Sequence, residues 1–412
     1  MAEVTNYIDR LVAELCPDGV EYRPLSDVVE KNYGGGTPSK AKEEYWGGDI
    51  PWASVGDLSN DLMEIFDTRS KITPAGVSGS STNVVPAGAV IVAIKIAPGK
   101  MKIAGVDLAI NQDIRGLVLN DLMNARFLTY YFRTLRFAGH GTIVKSITNK
   151  RLMDTEVPVP PLEIQEAIVE ILDKFTNLEA ELEAELEART LQYEYYRDSL
   201  FEALDCPRVS LGELGKFYGG LKGKTKNDFG SSGARYISYK NVYENISADF
   251  TWPDFVQVKE GENQLSLMKG DILLTGSSEN MEEAGLSSVV TKEPEEKAYL
   301  NSFSICYRLN DPSILNPEFS KYLFRSRLAR KQIIRTAQGV TRFNVSKKKL
   351  ANVSIPIPSL EEQQRIVDIL DRFDALTSSL SEGLPAELAA RRSQYEYYRD
   401  QLLTFPRKGE NQ

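Results

Sequence analysis

With 412 residues, 42% of them hydrophobic, the chain carries enough apolar material for two globular cores of ordinary size. No apolar run reaches the roughly 20 residues of a membrane span, and the stretch from Met1 to Arg10 is too polar and acidic for a signal peptide, so a cytoplasmic protein is expected. Cys16, Cys206 and Cys306 are too few and scattered for a disulfide framework, His140 is the one histidine, and no metal site is expected; the formal charge of −9 argues against a nucleic-acid partner only until its distribution is read.

The chain opens with an amphipathic helix, Tyr7 to Leu15, that stops at Cys16-Pro17. Leu25-Ser26-Asp27-Val28 comes next, then a glycine loop from Tyr33 to Lys40, where small residues permit close backbone approach. Strand-like runs come at Ile50 to Val55, Pro86 to Ile94 and Gly116 to Leu119, then a helix from Arg126 to Arg136, after which Gly141 to Asn149 leads out of the domain. Val157-Pro158-Val159-Pro160 leads into a long helix with a heptad-like stripe: Ile168, Ile171, Phe175, Leu178, Leu182, Leu186, Tyr193, Tyr196 and Leu200, with Arg189 filling one gap. Near its end stands Gln192-Tyr193-Glu194-Tyr195-Tyr196-Arg197-Asp198.

Everything then happens again. Leu200 to Leu204 runs into Cys206-Pro207, and Leu211-Gly212-Glu213-Leu214 precedes a glycine loop from Tyr218 to Lys226. Strands are expected at Tyr236 to Tyr239, Lys269 to Thr275 and Ser304 to Tyr307, then a helix from Pro317 to Arg335, after which Gly339 to Ser346 leads out of the domain. Ile355-Pro356-Ile357-Pro358 starts a second stripe: Ile366, Ile369, Phe373, Leu376, Leu380, Leu384, Leu388, Tyr395, Tyr398 and Leu402. The heptapeptide returns unchanged as Gln394 to Asp400. This helix is longer by four residues and contains Gly383 and Pro385, so a stutter, and a kink or brief interruption at Pro385, are expected.

The chain is therefore a tandem duplication with a unit of about 200 residues, each a domain plus a helix. Short strands with turn punctuation and one or two helices make each domain α+β, around a curled antiparallel or mixed sheet. The two stripes find their simplest burial against each other, with Leu178, Leu182, Leu376 and Leu380 in one seam. An antiparallel, pseudo-twofold pair of coiled-coil helices is the simplest arrangement, though sequence leaves the orientation open. The tyrosines of the box read as seam packing ahead of a base-stacking platform.

Charge is segregated. Pro161 to Leu204 holds twelve acidic and three basic residues, which matches the whole surplus. Between Glu318 and Glu361 there is no acid, while Lys321, Arg325, Arg327, Arg330, Lys331, Arg335, Arg342, Lys347, Lys348 and Lys349 are basic. The matching part of the first repeat, between Asp121 and Asp154, is also acid-free and holds Arg126, Arg133, Arg136, Lys145, Lys150 and Arg151. Two basic regions at equivalent places read as two anion-binding surfaces, against the alternative of ordinary solvated helix faces.

No catalytic constellation stands up. The run from Gly219 to Thr225 misses P-loop spacing, because Tyr218 stands where the first glycine is needed. Lys259 is preceded by Gln257 where a nuclease core needs a carboxylate, and Asp311-Pro312-Ser313 is the nearest approach to an amino-methyltransferase motif. The chain reads as a binder rather than an enzyme.

The Pro-Val-Pro and Pro-Ile-Pro exits, the helix starts Glu163-Ile164-Gln165 and Glu361-Glu362-Gln363-Gln364, the Ile-Leu-Asp-x-Phe cores and the tyrosine box together resemble the conserved regions of the specificity (S) subunit of type I restriction-modification enzymes. Tyr45 to Trp52 and Gly223 to Lys226 resemble target-recognition-domain types of that family. The resemblance implies an N-terminal helix over 1–18 packing near the C-terminal helix, recognition domains over 19–157 and 206–355, conserved helices over 158–205 and 356–405, and a tail over 406–412. It further implies a sequence-specific DNA-binding, non-catalytic subunit in which each domain reads half of a bipartite, asymmetric site. A helix of about 42 residues, about 63 Å long, would set the spacing of the halves. Implied partners are double-stranded DNA, two modification (methyltransferase) subunits and, through them, restriction subunits (ATP-dependent translocase/nuclease). No cofactor is expected on this chain; S-adenosylmethionine and ATP with magnesium belong to the partners. Two rival readings are a coiled-coil scaffold whose paired domains bind protein and a DNA-cleaving or methylating enzyme in its own right.

Candidate DNA contacts are Lys95, Lys100, Lys102, Arg151, Lys347 and Lys348 for phosphate, and Lys40, Lys145, Lys224, Lys240, Asn241, Arg342 and Asn344 for bases, with Lys222 and Lys226 beside them in the second glycine loop. The seam is expected to use Ile171, Phe175, Leu178, Leu182, Leu186, Tyr193, Tyr196, Ile369, Phe373, Leu376, Leu380, Tyr395 and Tyr398.

Overall fold

The structure, a computed structural model, describes residues 2–60, 62–137, 146–377 and 383–409. His140, Lys145 and Leu380 lie outside the described residues. The chain divides into two compact units, Met1–Leu182 with Leu388–Gln412, and Glu183–Glu387.

In the first unit, strand Tyr22–Pro24 pairs antiparallel with Glu156–Pro158, so the way into the domain and its Pro-Val-Pro exit share one ladder. Between them lie two mixed sheets. One has the strand order Val29–Gly34, Ile114–Leu119, Val90–Ala93, Met101–Ala104 and Glu64–Ile65; the other runs Ser70–Ile72, Trp46–Ala53, Leu108–Ile110 and Val84–Val85. Strand Val90–Ala93 is buried on both faces: Val90 and Val92 enter one core with Leu117 and Phe127, while Ile91 and Ala93 enter another with Leu108 and Ile110. Its unbroken apolar run reflects that double burial. Expected from Pro86, the strand begins at Val90 because Gly88 turns the chain at φ +84°.

Helix Ala125–Thr134 starts where the Asn124 side chain accepts the backbone N–H groups of Arg126 and Phe127. Its Phe127 shares the first core with Ile164, Ile168 and Leu172 of the long helix. Ile8, from helix Ala2–Leu15, lies in that core with Leu402, Leu403 and Phe405, and Phe405 approaches Phe127 at 6.2 Å.

The second unit repeats the plan. Strand Arg208–Ser210 pairs antiparallel with Ser354–Pro356. An antiparallel sheet orders Gly215–Gly219, Ser304–Leu309, Ile272–Thr275 and Ser287–Val289, and a mixed sheet orders Phe229–Gly230, Phe255–Val256, Ala234–Ile237 and Ala298–Leu300. Phe201 packs on Phe319 at 5.3 Å, the counterpart of Phe405 on Phe127.

Three expectations are corrected here. The helix expected from Pro317 to Arg335 is two, Pro317–Leu323 and Arg327–Ile334, because the Ser326 hydroxyl accepts the Ala329 N–H and starts a new helix. Tyr239 belongs to helix Tyr239–Glu244 rather than to a strand, since Ser238 caps that helix. The second long helix comprises Leu360–Thr377 and Gly383–Leu402, and the latter runs through Pro385 without the kink or interruption expected there. Pro385 lies in the first turn of the latter segment, where a missing N–H leaves no helix bond unmade. Gly383 takes φ +82° with its α-carbon against the Ala375 and Leu376 carbonyls, a place with no room for a side chain.

The first long helix is continuous, Leu162–Glu202. Within the first unit, Phe175 stacks on Tyr398 at 5.8 Å and packs near Tyr395, while the Arg392 guanidinium donates to Glu179 at 2.6 Å. Numbers rise on one helix as they fall on the other, so these segments are antiparallel. Within the second unit, Tyr196 stacks on Phe373 at 5.5 Å, the same contact with the repeats exchanged. Aromatic pairs make these helix contacts, whereas Leu178 and Leu376, expected inside the seam, are 47% and 37% exposed. From Glu179 to Glu187 every position other than Leu182 and Leu186 is Glu or Ala, so the apolar stripe is one leucine wide and covers little. Ile171, Leu182, Leu186, Tyr193 and Ile369 are half-buried, with Ile171 against the first core and Tyr193 against the second.

Candidate nucleic-acid interface

Each unit fixes its domain to a long helix through the same bonds. Gln165 is fully buried; its amide donates to the carbonyls of Leu122 and Pro160 at 2.8 and 2.7 Å and accepts the Asn124 N–H at 2.8 Å. Gln363 does the same with Ile314, Pro358 and Asn316, at 2.9, 3.0 and 2.7 Å. Further along each helix, the Tyr130 hydroxyl donates to Asp173 at 2.7 Å and the Tyr322 hydroxyl to Asp371 at 2.6 Å. Burial and the adjacent carboxylate push both tyrosines far above their ordinary pKa. The repeated Gln and Ile-Leu-Asp-x-Phe residues are thus the joint that holds each domain on its helix.

That joint and the loops above it consume much of the basic sequence. Arg126 pairs with Asp173 and Glu64, and Lys321 with Glu318 and Asp371. Arg327 pairs with Glu202. Arg325 and Arg330 are half-buried and donate to backbone carbonyls, Arg325 to Ser287, Val242 and Tyr243, and Arg330 to Glu282, Ala284 and Gly285. Burial lowers both to about 10. The acid-free segment is therefore not one basic surface: part of it ties helices to loops.

The candidate contacts separate accordingly. Lys102 is buried with its ammonium on Asn60. Asn241 is fully buried, donating to the Asp249 carbonyl at 2.6 Å. Lys224 has its ammonium 2.6 Å from Glu262, whose carboxyl is held down at about 2 by hydrogen bonds from Lys224 and Gln264. These three side chains serve the fold. Lys40, Lys222 and Lys226 are exposed on the glycine loops, and Lys240 is exposed beside Glu244 and Trp252. Lys95 pairs with Asp113 at 2.9 Å, and Lys100 reaches the Ser59 carbonyl at 3.4 Å. Arg151 lines a cavity of about 500 Å3 with Arg136, Lys150, Thr148 and Asp154. In the second unit, Arg342 and Asn344 are exposed on and beside strand Phe343–Val345, and Lys347 and Lys348 on the short helix Lys347–Leu350 just after it. Sequence reasoning missed Phe303 and Val340, which are 67% and 92% exposed, because nothing in local periodicity distinguishes a loop apolar residue turned outward from one turned in. Among the described residues no cluster of His, Cys, Asp and Glu could hold a metal ion, and no helix is long and apolar enough to cross a membrane.

Comparison with known proteins places this geometry. The model of the type I restriction modification DNA specificity domain matches twice, over residues 17–188 and 205–390. The chain belongs to that family. It is 34% identical over 306 residues to the EcoR124I/EcoR124II specificity subunit of Escherichia coli, spanning 68% of this chain and 71% of that one. A putative type I restriction enzyme specificity subunit of Haemophilus influenzae is 28% identical over 94% of this chain and 96% of its own length. In fold, a chain from a structure of type I R-M complex assembly and conformational transition matches with a TM-score of 0.66 at 17% identity, covering 93% of this chain and 97% of that one. The HsdS subunit of Thermoanaerobacter tengcongensis matches at 0.50, also at 17% identity, over 96% and 98%. The chain is accordingly a type I DNA specificity subunit, a non-catalytic component of its restriction-modification system.

Proposed function

We propose that the two recognition domains each read one half of a bipartite, asymmetric DNA site, while the long helices set the half-site spacing and dock two modification subunits. Restriction subunits join through these. S-adenosylmethionine, ATP and magnesium are then bound and used by the partners, in the cytoplasm where the DNA lies. One observation carries this reading: the joint built by Gln165 and Asp173 recurs at Gln363 and Asp371, so the same kind of domain is mounted on a helix in each unit. Exposed cations on the domains, Lys40, Lys222, Lys226, Lys240, Arg342, Lys347 and Lys348, suit phosphate and base edges, with Asn344 beside them. Lys95, Lys100 and Arg151 extend the set in the first domain.

The test is modular exchange. Replacing Val20 to Thr155 by the matching segment of a relative, with modification subunits present, should change the bases methylated in one half-site and leave the other half-site and the gap unaltered. Both halves changing together would refute the two-domain reading. Binding to any DNA equally, without a steep loss in salt, would favour the protein scaffold instead.

A further inference from the structure

The two recognition domains share one backbone junction that can be matched bond by bond. In the first, Asn111 is buried, its side-chain oxygen accepts the Asp113 N–H at 3.0 Å, and Gly35 passes so close to the Asn111 carbonyl that a side chain there would collide. In the second, Asn301 is buried, its side-chain oxygen accepts the Phe303 N–H at 2.9 Å, and Gly220 meets the Asn301 carbonyl in the same way. The Ile94 N–H donates to the Asp113 carbonyl at 2.8 Å, and the Gly276 N–H to the Phe303 carbonyl at 2.9 Å. Ile147 then bonds back to Ile94, and Val345 to Gly276, while Lys95 bridges Ser146 and Ser277 pairs with Asn344. Three segments thus meet in each domain through main-chain bonds that do not depend on the side chains projecting from them.

Those projecting side chains differ completely. The first junction presents Lys95, Asp113 and Ser146; the second presents Ser277, Phe303 and Asn344 at the same three places, and none of the six is buried. A framework that is retained while its outward residues change chemistry has the properties required of a reading head: a fixed geometry carrying interchangeable contacts. Around the second junction a cavity of about 310 Å3 is lined by Tyr239, Ser277, Ser278, Glu279, Phe303 and Arg342. The Tyr239 hydroxyl donates to the Ser277 carbonyl at 2.7 Å, and Glu279 stands 3.8 Å from the Arg342 guanidinium. Gly339, at φ +145°, packs against the Arg342 carbonyl and makes the tight turn that presents this arginine.

From this we infer that the junction is the base-discriminating element of each recognition domain, with Lys95 and Asp113 reading one half-site and Phe303, Arg342 and Asn344 the other. This deepens the bipartite reading above and rests on it. The chemistry separates the two halves. An ammonium and a carboxylate 2.9 Å apart offer a donor to guanine O6 or N7 and an acceptor to cytosine N4, so the first junction suits a G·C pair. Asn344 matches the adenine edge and the face of Phe303 matches a thymine methyl, so the second suits an A·T pair, with Arg342 directed to a neighbouring guanine.

The experiment uses the full chain assembled with its modification subunits and selects methylated sequences from a random duplex library. Phe303→Ala should relax selection about tenfold at a base position in one half-site only, and Asp113→Ala should do so in the other half-site only. Phe303 is exposed, so its replacement leaves the fold intact; an unchanged unfolding temperature verifies this, and Phe303→Leu, retaining an apolar contact, should restore much of the preference. The inference is overturned if folded Phe303→Ala and Asp113→Ala complexes keep every wild-type base preference, even where affinity drops. A wild-type complex that methylates without sequence preference would instead overturn the recognition reading itself.

Discussion

Gln165→Ala tests whether the joint between domain and helix is what holds the first unit together. The side chain makes three bonds, two donated to the Leu122 and Pro160 carbonyls and one accepted from the Asn124 N–H, at a residue with no exposure. A neutral hydrogen bond nets about 1 kcal/mol, and stranding its buried partners costs more; since Leu122 is partly exposed and its carbonyl can be rehydrated, the sum is about 2–4 kcal/mol. For a unit of this size that lowers the midpoint of its thermal transition by roughly 6–12 °C. Calorimetry of the intact chain should show the transition of the first unit moving while that of the second stays, and Gln363→Ala should produce the reverse. Gln165→Glu adds a pH signature. Its second carboxyl oxygen would face two carbonyl oxygens, so the folded state favours the protonated acid and raises its pKa above the unfolded value of about 4.3. Stability is then fully present below about pH 4.3 and is lost as pH rises through the raised folded value. A midpoint shift under about 2 °C for Gln165→Ala, or a Glu variant insensitive to pH, would show that the helix is held by apolar packing alone.

Other sites give equally definite expectations. Burial pushes the Tyr193 phenol up to about 12, with Arg197 opposing in part, so its contribution is intact below about pH 10 and disappears as pH rises through about 12; Tyr193→Phe should flatten the alkaline limb of a stability profile over that window. Replacing Lys347 and Lys348 together by Ala should reduce the slope of log affinity against log salt by about 1.8 without altering base preference, measured by titration at several salt concentrations. Inserting four residues between Glu179 and Glu187 lengthens the helix by about 6 Å and rotates its downstream half by about 40°. The half-site sequences should persist while the preferred gap grows by between one and two base pairs, and an unchanged gap at full affinity would end the ruler proposal.

The duplication, the α+β class, the long helices and the family were all legible in sequence, because repeated motifs and periodic stripes are local properties that survive without knowledge of contacts. Even the joint was visible as letters, Gln165 and Asp173 matched by Gln363 and Asp371. What the letters could not convey is which groups share a partner. Arg325 and Arg330 read as surface charge, yet tertiary packing turns them onto carbonyls some forty to eighty positions away in the chain, where a guanidinium can satisfy several oxygens at once. Lys102 and Asn241 read as DNA contacts and are interior for the same reason: a polar side chain goes inside when the fold supplies its bonds. Leu178 and Leu376 keep the heptad spacing but remain exposed, since periodicity states which residues share a helix face and not how much of that face a neighbour covers. The reading junction is the clearest case. Gly35 with Asn111, and Gly220 with Asn301, are distant in sequence and become equivalent only through the backbone bonds that bring three segments together, so the side chains held there acquire a common role in tertiary structure alone.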